Sequence, residues 1–279
     1  MSILLTFVLG AFIGSFLGVI ADRYQPDRWI LANLIYGRSG CETCKRELGF
    51  FELIPLISFA VWGGRCRFCQ AKLSWRYPVY EILSGLIVFS VAYVTMASGL
   101  VVSSLWIALF LILFLIALID YRTTIIPNEL SLAVAVIGLV LSLMMWQEFG
   151  LVNGSFIGHY AALFGFRESL LINKLMGIFV PAGLFLFLLL ITKGRGMGFG
   201  DVKLNAALGV VFGWPDTLII ALLSFIVGSV IVTPSLFKGK KGRKDLVPFG
   251  PFIVMATFLI FFFGKEILSF YFSLFPIVV

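Results

Sequence analysis

Asp120 closes the apolar run Leu105–Ile119 (LWIALFLILFLIALI), and Asp201 opens another directly after Gly198-Phe199-Gly200. A carboxylate beside hydrocarbon costs roughly 3 kcal/mol or more, so an ionisable residue there points to function. Two of them suggest a pair. Carboxylates that share one proton can activate water and polarise a carbonyl. The leading chemical reading is an aspartic peptidase built into a membrane, with Asp120 and Asp201 as the catalytic dyad.

The flanking residues refine that reading. The first motif runs Asp120-Tyr121-Arg122-Thr123-Thr124-Ile125-Ile126-Pro127-Asn128. Pro127 blocks helix continuation and marks the turn into the next span. The second runs Gly198-Phe199-Gly200-Asp201-Val202-Lys203. Its glycines permit positive φ and close backbone approach, which suits a site admitting an extended peptide. Asp201 lies at a helix N-terminus, where the dipole favours a carboxylate, and Asp120 at a helix C-terminus, where it does not. That asymmetry assigns the shared proton to Asp120 and water activation to Asp201. Glu81, just inside another span, pairs with Arg76 one turn below, supports the site from a distance, or snorkels to the surface. The chain has one histidine, His159, and no Ser motif near it, so neither a Ser-His-Asp triad nor an H-E-x-x-H zinc site is available.

The four cysteines form two C-x-x-C pairs, Cys41/Cys44 and Cys66/Cys69, separated by 21 residues. Two thiolate knuckles at this spacing make a tetrahedral structural zinc site. Disulfides are the alternative, and a reducing cytoplasmic side disfavours them. Lys45, Arg46, Arg65 and Arg67 flank the knuckles, where they offset the charge of a four-thiolate zinc site or meet anionic lipid.

The elements that must position these groups are apolar. Of 279 residues, 61% are hydrophobic and 13% charged, which excludes an ordinary soluble domain. The net charge of +7 comes from basic residues in loops, without the aromatic-interleaved basic stripe of a nucleic-acid binder. The expected fold is an all-α polytopic membrane protein. About eight transmembrane helices lie near 3–21, 78–97, 102–120, 130–147, 170–192, 202–213, 217–234 and 248–264, with a small zinc-ribbon-like insert. The sixth is short for a hydrocarbon core about 30 Å thick. Three domains follow: an N-terminal anchor (1–21), a zinc-binding insert (22–76) and a membrane-embedded peptidase domain (77–279). The segment 22–76 and the loops after spans three, five and seven carry most of the Lys and Arg. The positive-inside rule therefore puts insert and aspartates on the cytoplasmic side of a multi-pass membrane protein. An alternative from another class is a multispan scaffold or transporter whose aspartates carry ions.

The chain resembles the type IV prepilin peptidases, or prepilin leader peptidases, of the G-x-G-D intramembrane aspartic protease group. The resemblance runs nearly end to end. It includes Gly14-Ser15-Phe16-Leu17, both cysteine pairs, Glu52-Leu53-Ile54-Pro55, Gly64-Arg65-Cys66 and Ser74-Trp75-Arg76-Tyr77-Pro78-Val79-Tyr80-Glu81. Asp120, Pro127, Gly198 to Leu204 and Pro248-Phe249-Gly250-Pro251 complete it. It implies Asp120 and Asp201 as catalytic pair, the four cysteines as zinc ligands, and Gly198, Gly200, Lys203, Pro127, Glu81 and Arg76 as supporting residues. It implies a bacterial inner-membrane enzyme that cleaves the basic leader of prepilins or pseudopilins, usually after Gly. Many members also methylate the new N-terminal amine with S-adenosylmethionine. Bifunctional members usually carry Asn where this chain has Gly18, and often Pro at Glu42 and Asn at Leu53.

Overall fold

The computed structural model describes residues 3–27, 29–30, 40–41, 43–145, 155–166, 169–194, 196–237 and 247–274. The long helices among them are α1 (Ile3–Arg23), α2 (Arg76–Thr95), α3 (Leu100–Thr123) and α4 (Asn128–Met145). They continue with α5 (Leu170–Ile191), α6 (Phe199–Phe212), α7 (Asp216–Phe237) and α8 (Gly250–Ser273). Each expected span is one of these helices. Six are long and apolar enough to cross a membrane, α4 is a shorter apolar helix, and α6 has 14 residues, about 21 Å. The chain is an all-α polytopic membrane protein. Arg167, Arg195 and the basic residues of the loop 238–246, on which the expected orientation partly rests, lie outside the described residues.

The chain divides into two compact units at Leu118/Ile119, with α3 running through the division. In the first unit α1 packs along α2. Gly10 and Gly85 allow this, because a Cβ on Gly10 would lie 2.8 Å from the Gly85 Cα. Small residues at such crossings let helix backbones come together where lipid gives no hydrophobic drive. Tyr80 of α2 meets Phe114 of α3 edge-on, at 6.4 Å between ring centroids.

The described part of the insert holds two hairpin turns of one design. Gly40 bridges to Glu47 around Cys41/Cys44, and Arg65 bridges to Lys72 around Cys66/Cys69, both antiparallel. In the first, the Cys41 N–H donates to Arg46 O at 3.0 Å and the Lys45 N–H to Cys41 O at 2.9 Å. In the second, the Cys66 N–H donates to Ala71 O at 2.9 Å and the Gln70 N–H to Cys66 O at 3.0 Å. Lys45 and Gln70, each four residues after the first cysteine of its pair, both take positive φ.

The second unit is built around α6. Nine of its 14 residues are buried, and it packs against α4, α5 and α7. Because protein surrounds it, α6 need not reach across the bilayer. Its C-terminal end is held by α5. Lys174 Nζ donates to Val211 O at 2.7 Å, and Asn173 Nδ2 donates to Trp214 O at 2.5 Å. The first of these bonds satisfies a carbonyl that the helix end leaves open, and the second holds the turn that follows it. Close by in sequence, buried Asp216 accepts from the Ser155 hydroxyl at 2.6 Å and the Phe156 N–H at 3.2 Å.

Candidate active site and cysteine cluster

Asp120 lies in the last turn of α3 and is 4% exposed. The Thr124 N–H closes the helix on Asp120 O at 2.8 Å, Thr124 takes positive φ, and Pro127 directly precedes α4. Asp201 is the third residue of α6 and 6% exposed. Its Oδ2 accepts the Gly198 N–H at 3.0 Å, so the carboxylate caps its own helix. Asp120 Oδ2 accepts the Gly250 N–H at 2.8 Å. Gly250 is the first residue of α8, whose N–H has no partner within its own helix. Each aspartate thus gives one oxygen to a glycine N–H at a helix start.

Both carboxylates line one cavity of about 790 Å³. Lys203, on the same wall, donates to Asn128 Oδ1 at 2.8 Å and sits 4.9 Å from the centre of the Phe199 ring. An aromatic wall faces the cavity from Phe225, Phe249 and Phe252, with centroids 5.1 Å apart for the first two and 5.9 Å for the last two. Gly198 and Gly200 also line it.

Three expectations need correction. The glycines around Phe199 do not use positive φ. Gly198 is extended (φ −88°, ψ 157°), Gly200 is helical, and what Gly200 provides is room for the Ile126 side chain, 3.0 Å from where a Cβ would stand. The dipole asymmetry between the aspartates also disappears. Asp120 ends its own helix but faces the N-terminus of α8, so both carboxylates sit at positive helix ends. Glu81 does not pair with Arg76, which is exposed. Buried Glu81 accepts the Leu56 N–H at 2.8 Å and the Ser15 hydroxyl, and it lines a different cavity within the first unit.

Sequence reading passed over Gly250, which lies in a quoted motif but announces nothing about a contact 130 residues away. It also passed over Asn205, a fully buried amide one turn beyond Asp201, whose Nδ2 donates to Asp201 O at 3.0 Å. A polar residue four positions after an aspartate in an apolar helix was the available signal.

All four cysteines are unpaired thiols, and their sulfurs lie within 4.8 Å of one another. Cys41 and Cys69 Sγ are 3.7 Å apart. Tetrahedral zinc with bonds of about 2.3 Å needs sulfurs about 3.8 Å apart, so the cluster fits a zinc ion. The N–H groups of Cys44 and Thr43 lower the Cys41 thiol to about 6, towards the thiolate a metal requires. The Ala71 N–H favours the Cys69 thiolate, yet desolvation and the neighbouring sulfurs push that thiol up to about 11. A bound cation would relieve this crowding.

Two buried carboxylates on one cavity of an apolar helix bundle, in a chain that also carries a cluster of four thiols, are what an intramembrane aspartic peptidase would need. The model for the bacterial peptidase A24 N-terminal domain matches residues 8–95, and that for the type IV leader peptidase family matches residues 107–233. The chain is 31% identical to a "Prepilin leader peptidase/N-methyltransferase" of Aeromonas salmonicida (strain A449), over 96% of this chain and 93% of the relative. It is 32% identical to the protein of that name in Aeromonas hydrophila, over 96% and 92%, and 33% identical to one in Legionella pneumophila, over 88% and 79%. No solved structure matches. The chain belongs to the type IV leader peptidase family.

Proposed function

We propose that this enzyme removes the basic leader from type IV prepilins or pseudopilins at the cytoplasmic face of the bacterial inner membrane, with Asp120 and Asp201 as its dyad. The observation that carries this reading is the shared cavity into which both buried carboxylates open, each with one oxygen fixed by a glycine N–H. Like charges in one desolvated space share a proton. The ionised member draws a proton from water, the protonated member polarises the scissile carbonyl, and the roles exchange when the leaving amine is protonated. With both carboxylates at helix starts, the titration belongs to the pair. Gly198, Gly200 and Pro127 shape the backbone around the dyad. Lys203, tied to Asn128, adds positive charge to the wall.

The domain reading follows: an anchor at 1–21, a zinc-stapled insert at 22–76 and the peptidase at 77–279. Cys41, Cys44, Cys66 and Cys69 would hold the zinc, which closes the two hairpins upon each other. The relatives' names carry a second activity, N-methylation, and we extend it to this chain with S-adenosylmethionine as methyl donor. Co-expression with a prepilin, followed by intact mass spectrometry, tests both. Wild type should yield a leaderless product heavier by one methyl group. Asp120→Asn and Asp201→Asn should leave the precursor uncut, and a cut precursor with either would remove the dyad.

A further inference from the structure

The insert carries an apolar face for which leader cleavage has no use. Residues 50–61 hold a 3₁₀ turn, Phe50–Leu53, and a one-turn helix, Ile57–Val61. Ser58 and Phe59 of that helix turn inward and line a cavity with Ser15 and Val19 of α1. Its outer side is apolar and exposed. Ile57 and Val61 stand one helical turn apart there, with Leu53, Phe50 and Phe51 on the preceding turn exposed as well. Exposed apolar patches of this kind mark interaction surfaces.

Depth shows what covers the face. The Leu56 N–H donates to Glu81 Oε2 at 2.8 Å. Glu81 is the sixth residue of α2, about 7.5 Å below the start of that helix. Leu56 takes positive φ, a conformation that residues other than Gly rarely adopt, so the chain turns there at a cost and is fixed to α2 as it does so. Ser15, which shares the cavity with Ser58 and Phe59, lies eight residues before the end of α1, about 12 Å inside it. The exposed stripe of α2, Val79, Ile82, Leu83 and Leu86, begins two residues before Glu81, and a membrane-crossing helix turns such a stripe to lipid. The outer face of residues 53–61 therefore lies at a level where lipid already covers α2. Exposed Trp75, directly before α2, meets Phe59 edge-on at 4.8 Å between centroids, and Trp at a helix entry marks the membrane–water boundary. Arg67 lies over the Trp62 ring at 4.9 Å, and Arg65 and Arg76 are exposed close by in sequence, a charge suited to anionic headgroups.

We infer that this face of the insert is seated in the leaflet from which α2 enters the membrane, with Phe50, Phe51, Leu53, Ile57 and Val61 among acyl chains and the arginines at lipid phosphates. Interfacial elements reach about 5–10 Å into that zone, which matches the level set by Glu81. The insert is then held by lipid as well as by its bond to α2, and it moves with the membrane surface rather than as a free cytoplasmic module.

The test is photo-crosslinking of the full chain in nanodiscs of phosphatidylethanolamine and phosphatidylglycerol. Ile57→benzoylphenylalanine and Val61→benzoylphenylalanine are compared with Leu83→benzoylphenylalanine, which lies on the lipid-facing stripe of α2. Lipid adducts at 57 and 61 should form with yields within about fivefold of that at 83. Lower yields at both positions, or adducts with a co-expressed prepilin in place of lipid, would overturn the inference. Should the variants misfold, hydroxyl-radical footprinting of wild type in the same nanodiscs decides. Phe50 and Phe51 are 80% and 76% exposed, against 47% for Phe12 on the apolar helix α1. In water they would oxidise far faster than Phe12; seated in lipid they should stay within about threefold of it. Faster oxidation would put the face in water and overturn the inference, and neither result bears on whether the enzyme cuts leaders.

Discussion

Gly250 and Asp120 are separated by 130 residues, and the Gly250 N–H donates to Asp120 Oδ2 at 2.8 Å in a buried setting. The start of α8 therefore sets the orientation of a carboxylate that ends α3. A Cβ on Gly250 would stand 2.8 Å from that same oxygen. Gly250→Ala should displace Asp120 and cut the leader-cleavage rate about 100-fold, since misplacement near 1 Å costs that much. Rates on a purified prepilin check this, and a loss below threefold would show that Asp120 is oriented by something else.

Two carboxylates that share a proton should act as a unit. Asp120→Asn and Asp201→Asn should each abolish cleavage, and the double variant should be hardly worse than either single. Losses that add across the three variants would contradict a shared mechanism.

Zinc should be present at one ion per chain, and chelation should speed proteolysis of the insert, because metal binding in so small a module is largely folding free energy. Among serine replacements, those at buried Cys41 and Cys66 should loosen the insert more than those at exposed Cys44 and Cys69. Elemental analysis and limited proteolysis read both effects.

Lys174→Met should destabilise the second unit by about 1–3 kcal/mol, the cost of leaving the Val211 carbonyl without its donor. A lowered unfolding midpoint measures it. Lys174→Arg should recover part of the loss.

In the substrate, replacing the last leader residue, Gly, by Val should suppress cleavage more than neutralising one leader Lys. The scissile bond must lie in extended backbone, which Gly adopts readily, whereas one surface charge is screened at physiological salt. Equal sensitivity in paired cleavage assays would place recognition in the charge.

Residue type and local spacing made much of this legible. Asp120 and Asp201 stand out because apolar runs make a carboxylate conspicuous, and the cysteines because two C-x-x-C pairs have few uses. The helices follow from long apolar segments, although their ends moved. Helix α6 begins at Phe199 rather than near 202, since Asp201 reaches back to the Gly198 N–H and draws the start of the helix with it. Helix α8 continues to Ser273, past a break in helical geometry at Phe263. What stayed hidden depends on tertiary contact. The Gly250 bond to Asp120, the Leu56 bond to Glu81 and the Lys174 clamp on α6 join residues that no local pattern associates.

Beyond Phe199, helix α6 has no exposed residue. Membranes vary in thickness with their lipids, and helices bathed in acyl chains answer by tilting or by deforming the bilayer around them. A helix jacketed by its neighbours has no acyl chains to answer. Asp201 should therefore keep its height when chain length or temperature changes the membrane, where a lipid-facing carboxylate would shift.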